Sequence, residues 1–378
     1  MELRIPVIEL SKSLSKVLGV IPKKNTNPIL MNVLIDAKVT DQGQGQITFS
    51  ATDLNVSLQM VKQCEVVTPG SVAIGVKAIS DMVRVLSGPD VTLKLLENNQ
   101  LEVKCGRTKA KLVALSGEEY PPFPETESLK PLNLQKKQFC EMVQRTVFCA
   151  SGDESRYNLT GVYLEPQKDK PNQIAMIATD GHRLSKVERV FENVNFTDLK
   201  PMILPRKGLG ELIKLLTDSD IESEDFSFAV ADNKAVIKSG TVTLIMRLID
   251  GTFPDYKQVI PSVTDKIVRS SRNDILNSLK RVSVMASEKT QDARLAISGD
   301  NLTVSCTNPD AGEIKDDIPI EYNGPDIQIA FNARYLIDAI TSLNDHNLHL
   351  KITDALSPGL WVGAEDPEHL CVIMPMRI

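Results

Sequence analysis

Aromatic residues make up only 4 % of the 378-residue chain. That scarcity weakens any reading in which successive bases stack on aromatic platforms. Long hydrophobic runs are also missing. The opening MELRIPVIELSKSLSKVLGV mixes charge with apolar residues, and no window reaches the roughly 18 apolar residues of a spanning helix. Neither a secretory leader nor a membrane segment is expected. The six cysteines, Cys64, Cys105, Cys140, Cys149, Cys306 and Cys371, form no C-x-x-C pair. Reduced thiols in a cytoplasmic protein fit this usage better than a disulfide frame or a zinc site. The Asn-x-Thr matches at Asn158 and Asn301 then carry no meaning, since glycosylation needs a secretory route.

Catalytic signatures are missing as well. No glycine precedes a lysine, which excludes a Walker-type phosphate loop, and G-x-G-x-x-G, H-E-x-x-H and G-x-S-x-G are absent. His346 and His349 lie three apart, but no cysteine or acid cluster completes a ligand set. Neither a metal nor a cofactor is expected.

Repetition is what the chain does contain. FSATDLNVSL (49–58) resembles AMIATDGHRLS (175–185), with a fainter echo in LTVSCTNPDAGE (302–313), so Asp53, Asp180 and Asn308 fall at matching places. VAIGVKAISDMVRVLSGPD (72–90), MILPRKGLGELIKLLTDSD (202–220) and IQIAFNARYLIDAITSLND (327–345) each read as a short strand, an amphipathic helix and a polar stop. A third series, 9–21, 136–150 and 272–286, opens each copy with another amphipathic helix. Aromatic–proline pairs in 115–124 and 248–261 close the first two copies, and CVIMPMRI ends the third. The agreement of these series predicts three domains, at 1–127, 128–257 and 258–378. Alternating stretches at 91–106, 226–240 and 348–363 read as hairpins, with Asn-Asn, Asp-Asn and Ser-Pro-Gly supplying the turns. The expected fold is α+β, each domain placing two helices on antiparallel sheet.

The charge is uneven. Helix candidates at 11–18, 77–86, 135–149, 206–216, 272–284 and 332–343 hold fourteen Lys/Arg against five Asp/Glu, a surplus of nine. The chain as a whole has a net charge of −6, so the remainder carries −15. Lysine and arginine are good helix formers on solvated faces, but glutamate is as good, and here the acids lie elsewhere. A basic helical layer on an acidic body is the footprint of a polyanion partner.

Asp180, His182 and Arg183 in IATDGHRLSK look like catalytic chemistry. A general acid–base site stays open, because the partner of His182 has to be close in space rather than in sequence. Against it, Asp53 repeats Asp180 while Asn55 and Val56 replace His182 and Arg183. The repeated ATD reads as a turn that satisfies backbone donors after a buried strand. His182 and Arg183 read as recognition chemistry special to the middle copy.

ATDGHRLS (178–185), LPRKGLGEL (204–212), DGTFPDY (250–256), SRYNLTGV (155–162) and MPMRI (374–378) resemble the bacterial DNA sliding clamps, the β subunits of DNA polymerase III. The resemblance runs from TNPIL (26–30) to the last residue. It implies a processivity factor and not an enzyme: a head-to-tail homodimer closing six domains into a ring around double-stranded DNA. It also implies a cleft for peptides of the polymerase α subunit, the clamp-loader complex and other proteins carrying clamp-binding peptides. The matching cleft residues are Leu159, Thr179, Gly181, His182, Arg183, Leu184, Pro254, Val259, Val372, Met374, Pro375, Met376 and Arg377. Gln258 departs from a common basic residue and Ile378 from a common leucine. Lys24, Lys77, Arg84, Lys136, Arg145, Arg206, Lys207, Lys214 and Lys280 are the expected DNA contacts. Arg107, Lys109 and Lys111 with Leu112 are expected to meet Asp310, Glu313 and Asp316 of a second copy, with Val284 and Met285 packing between. Two other readings remain open, an enzyme built on Asp180 and His182 and a sequence-tolerant DNA binder working as an open monomer.

Overall fold

The computed structural model describes residues 1–22, 24–126, 129–219, 223–286 and 291–377. The departure at Ile378 lies outside the described residues.

Among them are six α-helices, two in each expected repeat. These are α1 (Val7–Leu18), α2 (Val76–Arg84), α3 (Lys136–Gln144), α4 (Arg206–Leu216), α5 (Arg272–Ser283) and α6 (Ala333–Ser342). Each follows directly on a short strand, and each buries one stripe, as Leu10, Leu14 and Val17 do on α1 and Leu336, Ala339 and Ile340 do on α6. Asn332 caps α6 by accepting from Arg334 N–H at 3.0 Å and Tyr335 N–H at 3.2 Å. The helix expected over 135–149 is shorter than its apolar spacing suggests. α3 ends at Gln144, and 147–149 is a separate 3₁₀ turn. At that point Thr146 N–H turns to Val143 O at 3.2 Å, three residues back, while its hydroxyl donates to Met142 O at 2.8 Å.

The hairpins at 91–106, 226–240 and 348–363 form as expected, all antiparallel. What the sequence does not announce is that sheets continue across repeat borders. Val56–Met60 of the first repeat pairs with Val242–Met246 of the second. Arg183–Val187 of the second pairs with His369–Ile373 of the third. The chain accordingly forms two compact units. One joins Met1–Lys137 to Lys207–Leu248, and the other joins Gln138–Arg206 to the chain from Ile249 onward. In the second unit α5 and α6 cover a core that includes Val268, Leu279, Phe331, Leu336 and Trp361. Large buried side chains of this kind contribute about 1.5–3 kcal/mol each. Among the described residues no helix is long and apolar enough to cross a membrane.

Candidate functional site

The segment 177–186 is a hairpin whose strands, Gln173–Thr179 and Arg183–Val190, pair in register. Its turn needs Gly181, which sits at φ +88°. Thr179 Oγ1 accepts from Gly181 N–H at 3.1 Å and donates to Arg183 O at 2.7 Å. Asp180 Oδ1 accepts from the N–H groups of His182 and Arg183, both at 3.0 Å. The first repeat builds the same turn. Thr52 Oγ1 accepts from Leu54 N–H, and Asp53 Oδ1 accepts from Asn55 and Val56 N–H. ATD is thus a backbone-satisfying device, as its recurrence predicts.

Around this hairpin the structure gathers the residues expected to form a cleft. Leu159, Leu184 and Val372 are buried in one apolar cluster with Phe253, Tyr256 and Leu360, and Val259 packs against it. Pro254 stands exposed beside Phe253, whose ring stacks on Tyr163 at 4.8 Å. The chain end divides in two. His369–Ile373 is a strand of the sheet with Cys371, Val372 and Ile373 buried. Met374 then turns outward at 37 % exposure, Pro375 and Met376 are half-buried, and Arg377 is exposed. Met374 N–H donates to His182 O at 2.9 Å and Met376 N–H to Ala330 O at 2.7 Å, which moors the tail beside the turn.

Arg183 is anchored within the protein. Its guanidinium donates to Asp180 Oδ2 at 3.0 Å, Asp338 Oδ2 at 2.6 Å and Phe148 O at 2.9 Å. It also lies 4.4 Å from the Tyr335 ring centre. Three of the five guanidinium N–H groups are thus engaged within the protein, whereas His182 remains exposed. Sequence reasoning missed Tyr335 and Asp338, and it missed Arg156, which donates to Asp180 O at 2.7 Å. Only Arg156 left a signal, inside SRYNLTGV.

Lys24, Lys77, Arg84, Arg206, Lys214 and Lys280, six of the expected phosphate contacts, are exposed. Lys207 is exposed too, but it binds Asp53 and Val20 O. Lys136 and Arg145 are corrections, since both are buried. Arg145 pairs with Asp366 at 2.5 Å and Glu141 at 3.0 Å, and Arg189 shares both acids. Burial alone would raise the Asp366 carboxyl, but hydrogen bonds from Arg189 and Arg145 hold it below its ordinary range. Burial and the neighbouring Arg145 charge drive His369 down to about 3, so it stays neutral. Burial pushes the Cys149 and Cys371 thiols up, which leaves them protonated and inert. Among the described residues no group of three or more His, Cys, Asp or Glu is arranged to hold a metal.

Of the residues expected at a subunit joint, Arg107, Lys109, Lys111, Val284, Asp310 and Glu313 are exposed, while Leu112 and Met285 are half-buried. Strand Thr108–Ser116 pairs with Gln100–Cys105 through residues 108–113 and switches to Val72–Ile74 only at 114–116. Strand Gly312–Pro319 pairs with Asn301–Asn308 and ends its sheet. Among the described residues, 108–113 of the first strand and the whole of the second each pair with one strand only.

The family comparisons agree along the chain. Residues 1–124 match the N-terminal domain of the DNA polymerase III beta subunit, 133–255 its central domain and 257–377 its C-terminal domain. The chain belongs to the DNA polymerase III beta subunit family. The beta sliding clamp of Pseudomonas putida is 30 % identical over 370 residues, 98 % of each chain. That of Caulobacter vibrioides is 28 % identical over 381 residues, all of each chain. A Caulobacter crescentus clamp structure superposes with a TM-score of 0.93 at 29 % identity, covering 100 % of this chain and 99 % of that one. A Bartonella birtlesii clamp solved with griselimycin gives 0.92 at 30 %, covering all of both. Beta sliding clamps are non-catalytic processivity subunits of the polymerase, so the Asp180–His182–Arg183 cluster has no reaction to perform.

Proposed function

We propose that two copies of this chain close head to tail into a ring around duplex DNA, and that the cleft of Leu159, Thr179, His182, Leu184, Val259, Val372 and Met374 captures short peptides of the polymerase α subunit and the clamp loader. The observation that carries the ring is the rule followed by the two internal sheet joints. In each, the strand after the ATD turn pairs with the closing strand of the next repeat. In the third repeat the corresponding strand, Gly312–Pro319, is open-edged among the described residues. The closing strand of the first repeat, Thr108–Ser116, pairs only within its own repeat among the described residues. A heterologous contact that closes is a ring, and closure removes edges that would otherwise template aggregation.

The rule also sets the register. Ser57 and Leu184 face the turn threonine in their hairpins, and Glu313 holds that place facing Thr307. Ser57 pairs with Ile245, the third residue after Val242, and Lys111 is third after the corresponding Thr108. Lys111 therefore faces the partner's Glu313 and Arg107 faces the partner's Asp317, while Ala110 faces the partner's Ile314. Exposed charge pairs contribute about 1 kcal/mol or less each, so they set register more than affinity. Val284 at 80 % exposure offers apolar area for the same joint. DNA would then meet the exposed cations of the helices diffusely, through phosphates and without base readout. Lys111→Glu or Glu313→Lys alone should shift the solution mass toward the monomer, and the double exchange should restore the dimer. A double exchange as monomeric as the single variants would reject this register.

A further inference from the structure

We propose that Asn323 is a site of spontaneous covalent modification, deamidation through a cyclic imide that leaves a mixture of aspartate and isoaspartate. It is the only asparagine of the chain that is followed by glycine. Glycine has no side chain to hinder the approach of its own backbone nitrogen to the preceding residue. The pair lies in the segment 322–326, between strands Gly312–Pro319 and Ile327–Asn332. Asn323 is exposed. Among the described residues neither its side-chain amide nor Gly324 N–H has a hydrogen-bond partner, so no bond within the protein has to break before the two groups meet. The flanks fix the glycine. Tyr322 is buried and its hydroxyl donates to Pro325 O at 2.8 Å, closing the segment over Gly324. A Cβ on Gly324 would overlap the Tyr322 ring and hydroxyl. Packing therefore demands the one residue that makes its neighbour reactive.

The chemistry needs water and no other co-reactant. Gly324 N, after losing its proton, bonds to Asn323 Cγ, and the side-chain nitrogen leaves as ammonia. Water then opens the cyclic imide at either carbonyl. One opening gives aspartate. The other gives isoaspartate, in which the main chain runs through the former side chain and is one carbon longer. Either product carries one more negative charge than the parent. The Asp180–Gly181 pair has the same small neighbour but is tied down. Asp180 Oδ1 accepts from His182 and Arg183 N–H, and Gly181 N–H donates to Thr179 Oγ1. The change at Asn323 falls two residues after Glu321, whose backbone pairs both ways with Arg269, at 2.9 and 3.0 Å. Arg269 belongs to Lys266–Ser271, the end strand of the sheet that also holds His369–Ile373. The longer chain of isoaspartate loosens this bridge.

The test incubates the full-length protein, native and unfolded in urea, at neutral and at mildly alkaline pH, followed by peptide mass spectrometry. The peptide containing Asn323 should gain about 1 Da and split into two chromatographic products. One of them should accept a methyl group from an isoaspartate methyltransferase. Conversion in the native protein should keep pace with conversion in urea. It should rise with pH, because the attacking amide must lose its proton, and it should be lost altogether in Asn323→Gln. Conversion in urea with none in the native protein would mean that the fold shields the pair, and the proposal would be wrong. In the isolated isoaspartate fraction the Arg269 and Glu321 amides should exchange with deuterium faster than in Asn323→Asp, which has the charge without the longer chain. Equal exchange would overturn the loosening of the bridge.

Discussion

His369 shows how far a single side chain departs from its sequence context. It is wholly buried, with its ring beside Arg145 and Ser185, and it stays neutral down to about pH 3. In the unfolded chain it protonates near 6.5, so the unfolded state gains protons first as pH falls. Stability from this residue is complete above pH 6.5 and declines below it, by up to about 1.4 kcal/mol per pH unit until pH 3. His369→Gln should flatten that decline between pH 6.5 and 5 in denaturant titrations, and an unchanged slope would contradict the burial account. No such role was legible in PEHLC, because what buries and polarises His369 comes from distant segments, Arg145 lying 224 residues away. Arg145 itself was misread for the same reason, since its partner Asp366 is 221 residues distant. The ATD turn was legible because the bonds its Thr179 and Asp180 side chains make to the backbone lie within four residues.

Elements sorted themselves by the range of the forces that make them. Helices and hairpins follow from local period and turn chemistry, and all six expected helices form, α3 alone ending markedly early, where the backbone at Thr146 turns to a three-residue hydrogen bond. The pairing of 183–187 with 369–373 has no local signal, and it decides what the chain end does. Up to Ile373 the tail is a core strand; from Met374 it runs partly exposed beside the ATD turn, where we propose the cleft. Methionines flanking a proline suit a surface that accepts several partners, since the thioether repacks easily. Among the described residues, removing residues 374–378 takes away the hydrogen bonds of Met374 and Met376 N–H and the partly covered side chains of Met374, Pro375 and Met376, but no fully buried core residue. Melting should change by only a few degrees, while peptide binding should fall at least thirtyfold, the loss of an anchor of about 2 kcal/mol or more. Calorimetry and fluorescence anisotropy on one sample separate the two effects. A truncated chain that unfolds would make the whole tail core.

At the scale of the molecule, three copies of one plan, a basic surplus on the six helices and two open strand edges support the proposed ring that holds DNA by topology. The cations left exposed, among them Lys77, Arg84, Arg206 and Lys280, make contacts that salt screens over about 8 Å, so they should permit sliding rather than fix a site. The most direct test is retention of the loaded protein on nicked circular DNA in high salt, before and after one cut linearises the circle. The ring account predicts that the protein stays on the circle and is lost from the linear product within the time needed to slide off the ends. Equal retention on both forms, or equal loss from both, would contradict it.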